Sequence, residues 1–135
     1  MLYKKCLKKN ERFSYEFGVS SESSLHRSDL MISDWSGAAL EYAFGLHKPV
    51  LFIDVPKKVQ NEAYQSLSVL PLEVSIRGDI GLIQSMDLKD LAQNLSHLIE
   101  HSNSYQNKLN ELCQKYVYNI GNSHQNAVQH IKGLL

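Results

Sequence analysis

The sequence has no long apolar run, no pair of cysteines at a chemical spacing, and no excess of charge of either sign. Its longest clearly apolar segments are about five residues, against the roughly 20 that a membrane-spanning helix requires, so a transmembrane segment is not expected. Lys plus Arg and Asp plus Glu both number 14. No global basic field therefore exists to attract nucleic acid. Cys6 and Cys113 stand alone and far apart, which offers neither a disulfide framework nor a metal-ligand or redox pair. Met1 is followed by Lys4, Lys5, Lys8 and Lys9 without a long apolar region or a small-residue cleavage site, unlike a secretory signal. The expectation is a soluble, cytoplasmic chain with reduced cysteines and no metal or cofactor. Its 135 residues fit one domain, 1–135, around one layered core.

What is present is an alternation of short apolar runs and amphipathic stretches. Residues 2–9 read as a helix, and Arg12 to Phe17 as a strand because aromatic and polar residues alternate. A short helix through Leu25 to Arg27 leads to a strand over Asp29 to Ser33. Ser36 then caps a helix whose buried face is Ala39, Leu40, Ala43 and Phe44. Gly45 is expected to end it in a left-handed conformation, and Pro49 to open the next strand. Val50-Leu51-Phe52-Ile53 is continuously apolar, as suits a central parallel strand covered on both faces. Glu73 to Ile76 reads as a short edge strand, and Gly78 to Gly81 as a loop before Leu82-Ile83. A long helix is expected from Asp87, with Leu88, Leu91, Leu95, Leu98 and Ile99 as its stripe. Helices over Ser104 to Val117 and about His124 to Leu134 form a tail.

Strands alternating with helices imply βαβ units and a parallel sheet. The fold class is therefore α/β, a three-layer Rossmann-like parallel sheet with a helical C-terminal tail. Only three or four strands can be found, fewer than doubly wound nucleotide-binding domains usually carry. Strands from elsewhere would complete such a sheet.

In open α/β sheets ligands bind beyond the carboxyl ends of the strands, where Ser33 to Gly37 falls. The first amides of the following helix lack intrahelical acceptors and present partial positive charge, a natural seat for phosphate. Gly37 admits a ligand close to the backbone, and the Ser36 hydroxyl can add a hydrogen bond. Glu41, more than a turn into the helix, can accept from both hydroxyls of a ribose. Asp34 can orient the loop or meet ligand hydroxyls. An ordinary helix cap is the competing account of Ser36-Gly37.

Other candidates are weaker on their residues alone. His26 can serve as a base or phosphate contact, or simply sit on a helix surface. Asn61 and Tyr64 follow the apolar strand, where a loop can cover a base or transferred group. His97 and His101 have the i, i+4 spacing of a metal pair, but no HExxH pattern accompanies them and they read as surface residues, as do His124 and His130. The lysines near the N-terminus can touch an anionic membrane surface, or form a solvated face.

Ser28-Asp29-Leu30-Met31-Ile32-Ser33-Asp34-Trp35-Ser36-Gly37, with Glu41-Tyr42-Ala43 and Lys48-Pro49-Val50-Leu51-Phe52, resembles the CDP-glycerol glycerophosphotransferase family of teichoic-acid-type polymerases. The family's motif is similar to Ser-Asp-x-x-Ile-Thr-Asp-Tyr-Ser-Ser, then an acidic residue, an aromatic and Ala, then Lys-Pro. Tyr118 to Ser123 resembles a stretch near the family's C-terminus, so the likeness reaches across about the last 120 residues. Ser33, Trp35 and Gly37 depart from the motif's Thr, Tyr and second Ser.

The resemblance implies the C-terminal, donor-binding half of a GT-B glycosyltransferase fold. Ser36 and Gly37 would take the donor diphosphate and Glu41 its ribose; the substrate would be CDP-glycerol or another nucleotide-linked donor. Family enzymes also carry an acceptor domain and catalytic histidines upstream, and only one short helix is expected here before Arg12. The expectation is thus a fragment, a truncated product or one subunit completed by a second chain, with peripheral association at the inner face of the cell membrane. The same loop is compatible with a nucleotide-sugar (UDP-sugar) glycosyltransferase or epimerase-like domain. An incomplete sheet is also compatible with a non-catalytic remnant or interaction module.

Overall fold

The computed structural model describes residues 12–14, 22–57 and 70–134. The expected N-terminal helix, residues 15–17 of the first expected strand, Asn61 and Tyr64 lie outside them, and residues 12–14 form no strand. The described chain is mixed α/β: α1 (Glu22–Arg27), β1 (Met31–Ser33), α2 (Ala38–Leu46), β2 (Val50–Ile53), α3 (Leu72–Ser75), α4 (Arg77–Ile80), β3 (Gly81–Gln84), α5 (Leu91–Glu100), α6 (Ser102–Tyr116) and α7 (Ser123–Lys132). The three strands form a parallel sheet in the order β1-β2-β3. The continuous apolar run of β2 is explained by its central place: Val50, Leu51 and Phe52 are all buried.

Successive strand residues point to opposite faces. Val50 and Phe52 join Ala39, Tyr42 and Ala43 of α2, Ile76 and Ile80, and Leu109 of α6 in one core. Leu51 points the other way and is fully buried; α5, with its buried Leu98, packs on β2 and β3. In register, Val50 lies opposite Gly81. A Cβ at Gly81 would stand 1.7 Å from the Val50 carbonyl oxygen, so only glycine permits this approach of the two strands.

Four local expectations are corrected. Glu73 to Ile76 is not an edge strand but the helical turn α3, running through Ile76 into α4, which occupies the Gly78 region expected as a loop. Leu72, Ile76 and Ile80 recur every four residues, so a helix, and not a strand, turns all three onto the core. The helix expected from Asp87 begins at Leu91, because Leu88 has φ 55° and breaks helical geometry. Asp87 instead accepts from Ser85 Oγ (2.6 Å) and pairs with Lys89. These bonds hold its carboxyl below the usual range. Gly45 does not end α2; Leu46 packs against the core, and His47 makes the left-handed turn at φ 52°.

The tail is divided. Leu109 and Cys113 of α6 are buried, whereas no residue of α7 is. Asn119 and Gly121 take positive φ between the two helices, where Asn and Gly are the residues best able to do so. None of the described helices is long and apolar enough to cross a membrane.

Candidate functional site

β1 ends at Ser33, and residues Asp34 to Gly37 turn the chain back into α2. The loop therefore lies at the carboxyl ends of β1 and β2. Ser36 Oγ accepts from the Ala38 amide at 3.3 Å, and Ser36 O accepts from the Ala39 amide at 3.2 Å. The serine thus caps the helix from one position before Gly37. Among the described residues the amides of Ser36 and Gly37 themselves donate to nothing. Both residues are exposed, and so are Asp34 and Glu41.

Gly37 has φ −60° and ψ −27°, ordinary right-handed helical values. A Cβ placed on it would meet nothing within 4 Å. The protein's own backbone and packing thus have no use for a glycine here.

Trp35 lies on the inner side of the loop. Its indole Nε1 donates to Val55 O at 2.8 Å, which ties the loop after β1 to the segment after β2. The Arg77 guanidinium carbon lies 3.8 Å from the indole centroid and 4.9 Å from the Phe52 ring. Arg77 Nη1 donates to Asp54 Oδ1 at 3.0 Å. Arg77 is only 4% exposed and Asp54 51%, so the cation is buried while its counter-ion is half in water. Nε and Nη2 of Arg77 are buried without a partner among the described residues.

Two depressions adjoin this cluster. A narrow crevice is lined by Trp35, Ser36, Leu40, Phe52 and Glu73. A wider cavity of about 420 Å³ is lined by Asp34, Trp35, Val55, Lys57 and Glu73 among others. At the other end of the sheet, a cleft of about 240 Å³ runs between His47, Lys48, Ile99 and Asn103. It opens at the amino ends of the strands, away from the open amides. Ligands of open α/β sheets bind at the opposite, carboxyl end.

The structure brings Asp34, Ser36, Gly37 and Glu41 to one stretch of loop and helix start. His26 is not among them. Its carbonyl accepts from Lys48 Nζ at 2.6 Å, as that of Ser28 does at 2.7 Å, which holds it at the amino ends of β1 and β2. Three strand residues carry the chain away from His26 before the loop begins, so proximity in sequence to the motif does not become proximity in space. His97 and His101 stack on each other with centroids 4.2 Å apart, and His101 Nδ1 lies 2.9 Å from His97 O. No group of three or more His, Cys, Asp or Glu is placed to hold a metal ion among the described residues.

Arg77, Asp54 and the stacking role of Trp35 were not singled out from the sequence. The available signal was Asp54 closing an apolar strand, and a single Arg between Ile76 and Gly78. No protein-family model, curated protein or solved structure matches this chain.

Proposed function

We propose that the chain is the donor-binding domain of a CDP-glycerol glycerophosphotransferase-like enzyme, built as the C-terminal half of a GT-B fold. It acts on a cell-envelope polymer of the teichoic-acid type. The observation that carries this reading is the pair of unpartnered amides at Ser36 and Gly37 with open space above Gly37, at the sheet end where such folds bind ligands. The motif around them supplies the donor class.

In the complete enzyme an acceptor hydroxyl oxygen attacks the phosphorus of the glycerol phosphate group. A new O–P bond forms, and the bond from that phosphorus to the bridging oxygen breaks. CMP leaves with the electron pair, and the hydroxyl proton passes to a base on the acceptor side. The Ser36 and Gly37 amides, aided by the dipole of α2, stabilise the charge that develops on the departing phosphate. Glu41 accepts from the ribose hydroxyls. The acceptor half comes from a further domain or a second chain.

Isothermal titration with CDP-glycerol, CDP and UDP-sugars tests the reading. Binding of the cytidine ligands is expected, weakened roughly tenfold by Glu41→Ala through the loss of charge-assisted hydrogen bonds. Absence of nucleotide binding in both proteins removes the proposal. Preference for a UDP-sugar moves the chain to the nucleotide-sugar transferases.

A further inference from the structure

A buried guanidinium normally has its donors satisfied, because an unpaired charged donor out of water is costly. Arg77 breaks that pattern at two atoms: Nη1 reaches Asp54, while Nε and Nη2 are buried without partners among the described residues. The Nε and Nη2 hydrogens point in parallel along one edge of the guanidinium, the fork that matches two oxygens of a carboxylate or phosphate. The rings of Trp35 and Phe52 lie close to the guanidinium. It is thus held in place with its best recognition edge unused.

We infer that the Nε–Nη2 edge of Arg77 is a seat for a phosphoryl group of the donor diphosphate. This rests on the donor-binding reading above and adds a residue that the loop motif does not contain. Trp35, which stacks on the guanidinium, is the chain neighbour of Ser36, whose amide, like that of Gly37, is without an acceptor among the described residues. A diphosphate presents two phosphoryl groups to these two sets of donors. Nε and Nη2 are buried, so occupancy requires a local movement, and Trp35, stacked on the face of the guanidinium, is placed to report it. Trp35 is the only tryptophan in the chain, so its emission reports the event directly. Glu73, which lines both adjoining depressions, is the internal rival for the fork.

The test titrates the intact chain with inorganic pyrophosphate and with CDP while following Trp35 emission and the NMR signal of the Arg77 Nε–H. Both signals are expected to move and saturate. Arg77→Met retains an apolar stem beside the two rings and removes the fork; with folding checked by thermal melt, it is expected to weaken the response roughly 30-fold or more. Arg77→Lys keeps the charge without the parallel donors, and is expected to fall well short of wild type. A stationary Nε–H signal overturns the inference without any variant. So does an Arg77→Met or Arg77→Lys protein that titrates like wild type, or emission that ignores pyrophosphate but responds to Glu73→Gln. CDP-glycerol binding that is indifferent to Arg77→Met removes the seat and leaves the donor reading standing. An Arg77-dependent pyrophosphate response without any preference for nucleotides does the reverse.

Discussion

The two ends of the parallel sheet use the same kinds of residue for different purposes. At the amino ends Gly81 lies against the Val50 backbone, Lys48 holds the carbonyls of His26 and Ser28, and Tyr42 OH meets Ser28 Oγ at 2.8 Å. At the carboxyl ends a Cβ on Gly37 would meet nothing within 4 Å, and among the described residues the Ser36 and Gly37 amides are open and Arg77 has an unused edge. At the amino ends Gly81 and Lys48 serve the fold; at the carboxyl ends Gly37 and the Nε–Nη2 edge of Arg77 are left uncommitted.

The sharpest way to break that contrast is a pair of matched glycine substitutions. Gly81→Ala is expected to destabilise by about 3 kcal/mol or more, since the added methyl must displace the backbone of the central strand; urea unfolding measures it. Lys48→Met is the next largest, at about 1–2 kcal/mol for two carbonyls losing a charged donor, read from the same curves. Tyr42 gives a pH test at the amino end. Burial, the largest cause, raises its hydroxyl above the ordinary value of 10.0, so its contribution is fully present below that value and is lost as pH rises through the raised one. Thermal melts above pH 10 should therefore fall more steeply for wild type than for Tyr42→Phe, while Tyr105, raised by burial as well, leaves some slope in both. Gly37→Ala is the smallest effect on the fold and has the opposite sign. Its helical φ and ψ accept Ala, for a gain of about 0.4–1 kcal/mol, while nucleotide affinity falls roughly tenfold as the methyl enters the space a phosphate would approach. Equal loss of stability at the two glycines would erase the distinction between the ends.

The parts of the fold that were legible in the sequence are those where one local signal sufficed. Val50 to Ile53 is apolar on both faces, and the structure makes it the central parallel strand. Ser36 and the spacing of Ala39, Leu40 and Ala43 locate α2 to within two residues. Glu73 to Ile76 was ambiguous because four residues cannot separate a period of two from one of 3.6; only the burial of Leu72, Ile76 and Ile80 together decides it. Leu88 fits an apolar stripe as well as Leu95 does, and nothing local announces its positive φ. For the site, the Asp34 to Gly37 loop was readable because turn residues and a cap are contiguous. The Arg77 cluster was not, since Trp35, the stretch holding Phe52 and Asp54, and Arg77 come from three separate segments that meet only after the sheet has formed.

The terminal helix α7 has ten residues, none of them buried, and Val128, Ile131 and Leu134 beyond it are exposed. A helix of that length is marginal in water by itself, so its backbone amides should exchange with solvent far faster than those of α6, which is anchored by Leu109 and Cys113. Limited proteolysis should accordingly cut between Val117 and the helix, and the shortened product should unfold at nearly the same temperature as the full chain. The strand-and-loop portion could then be crystallised or titrated without its last segment.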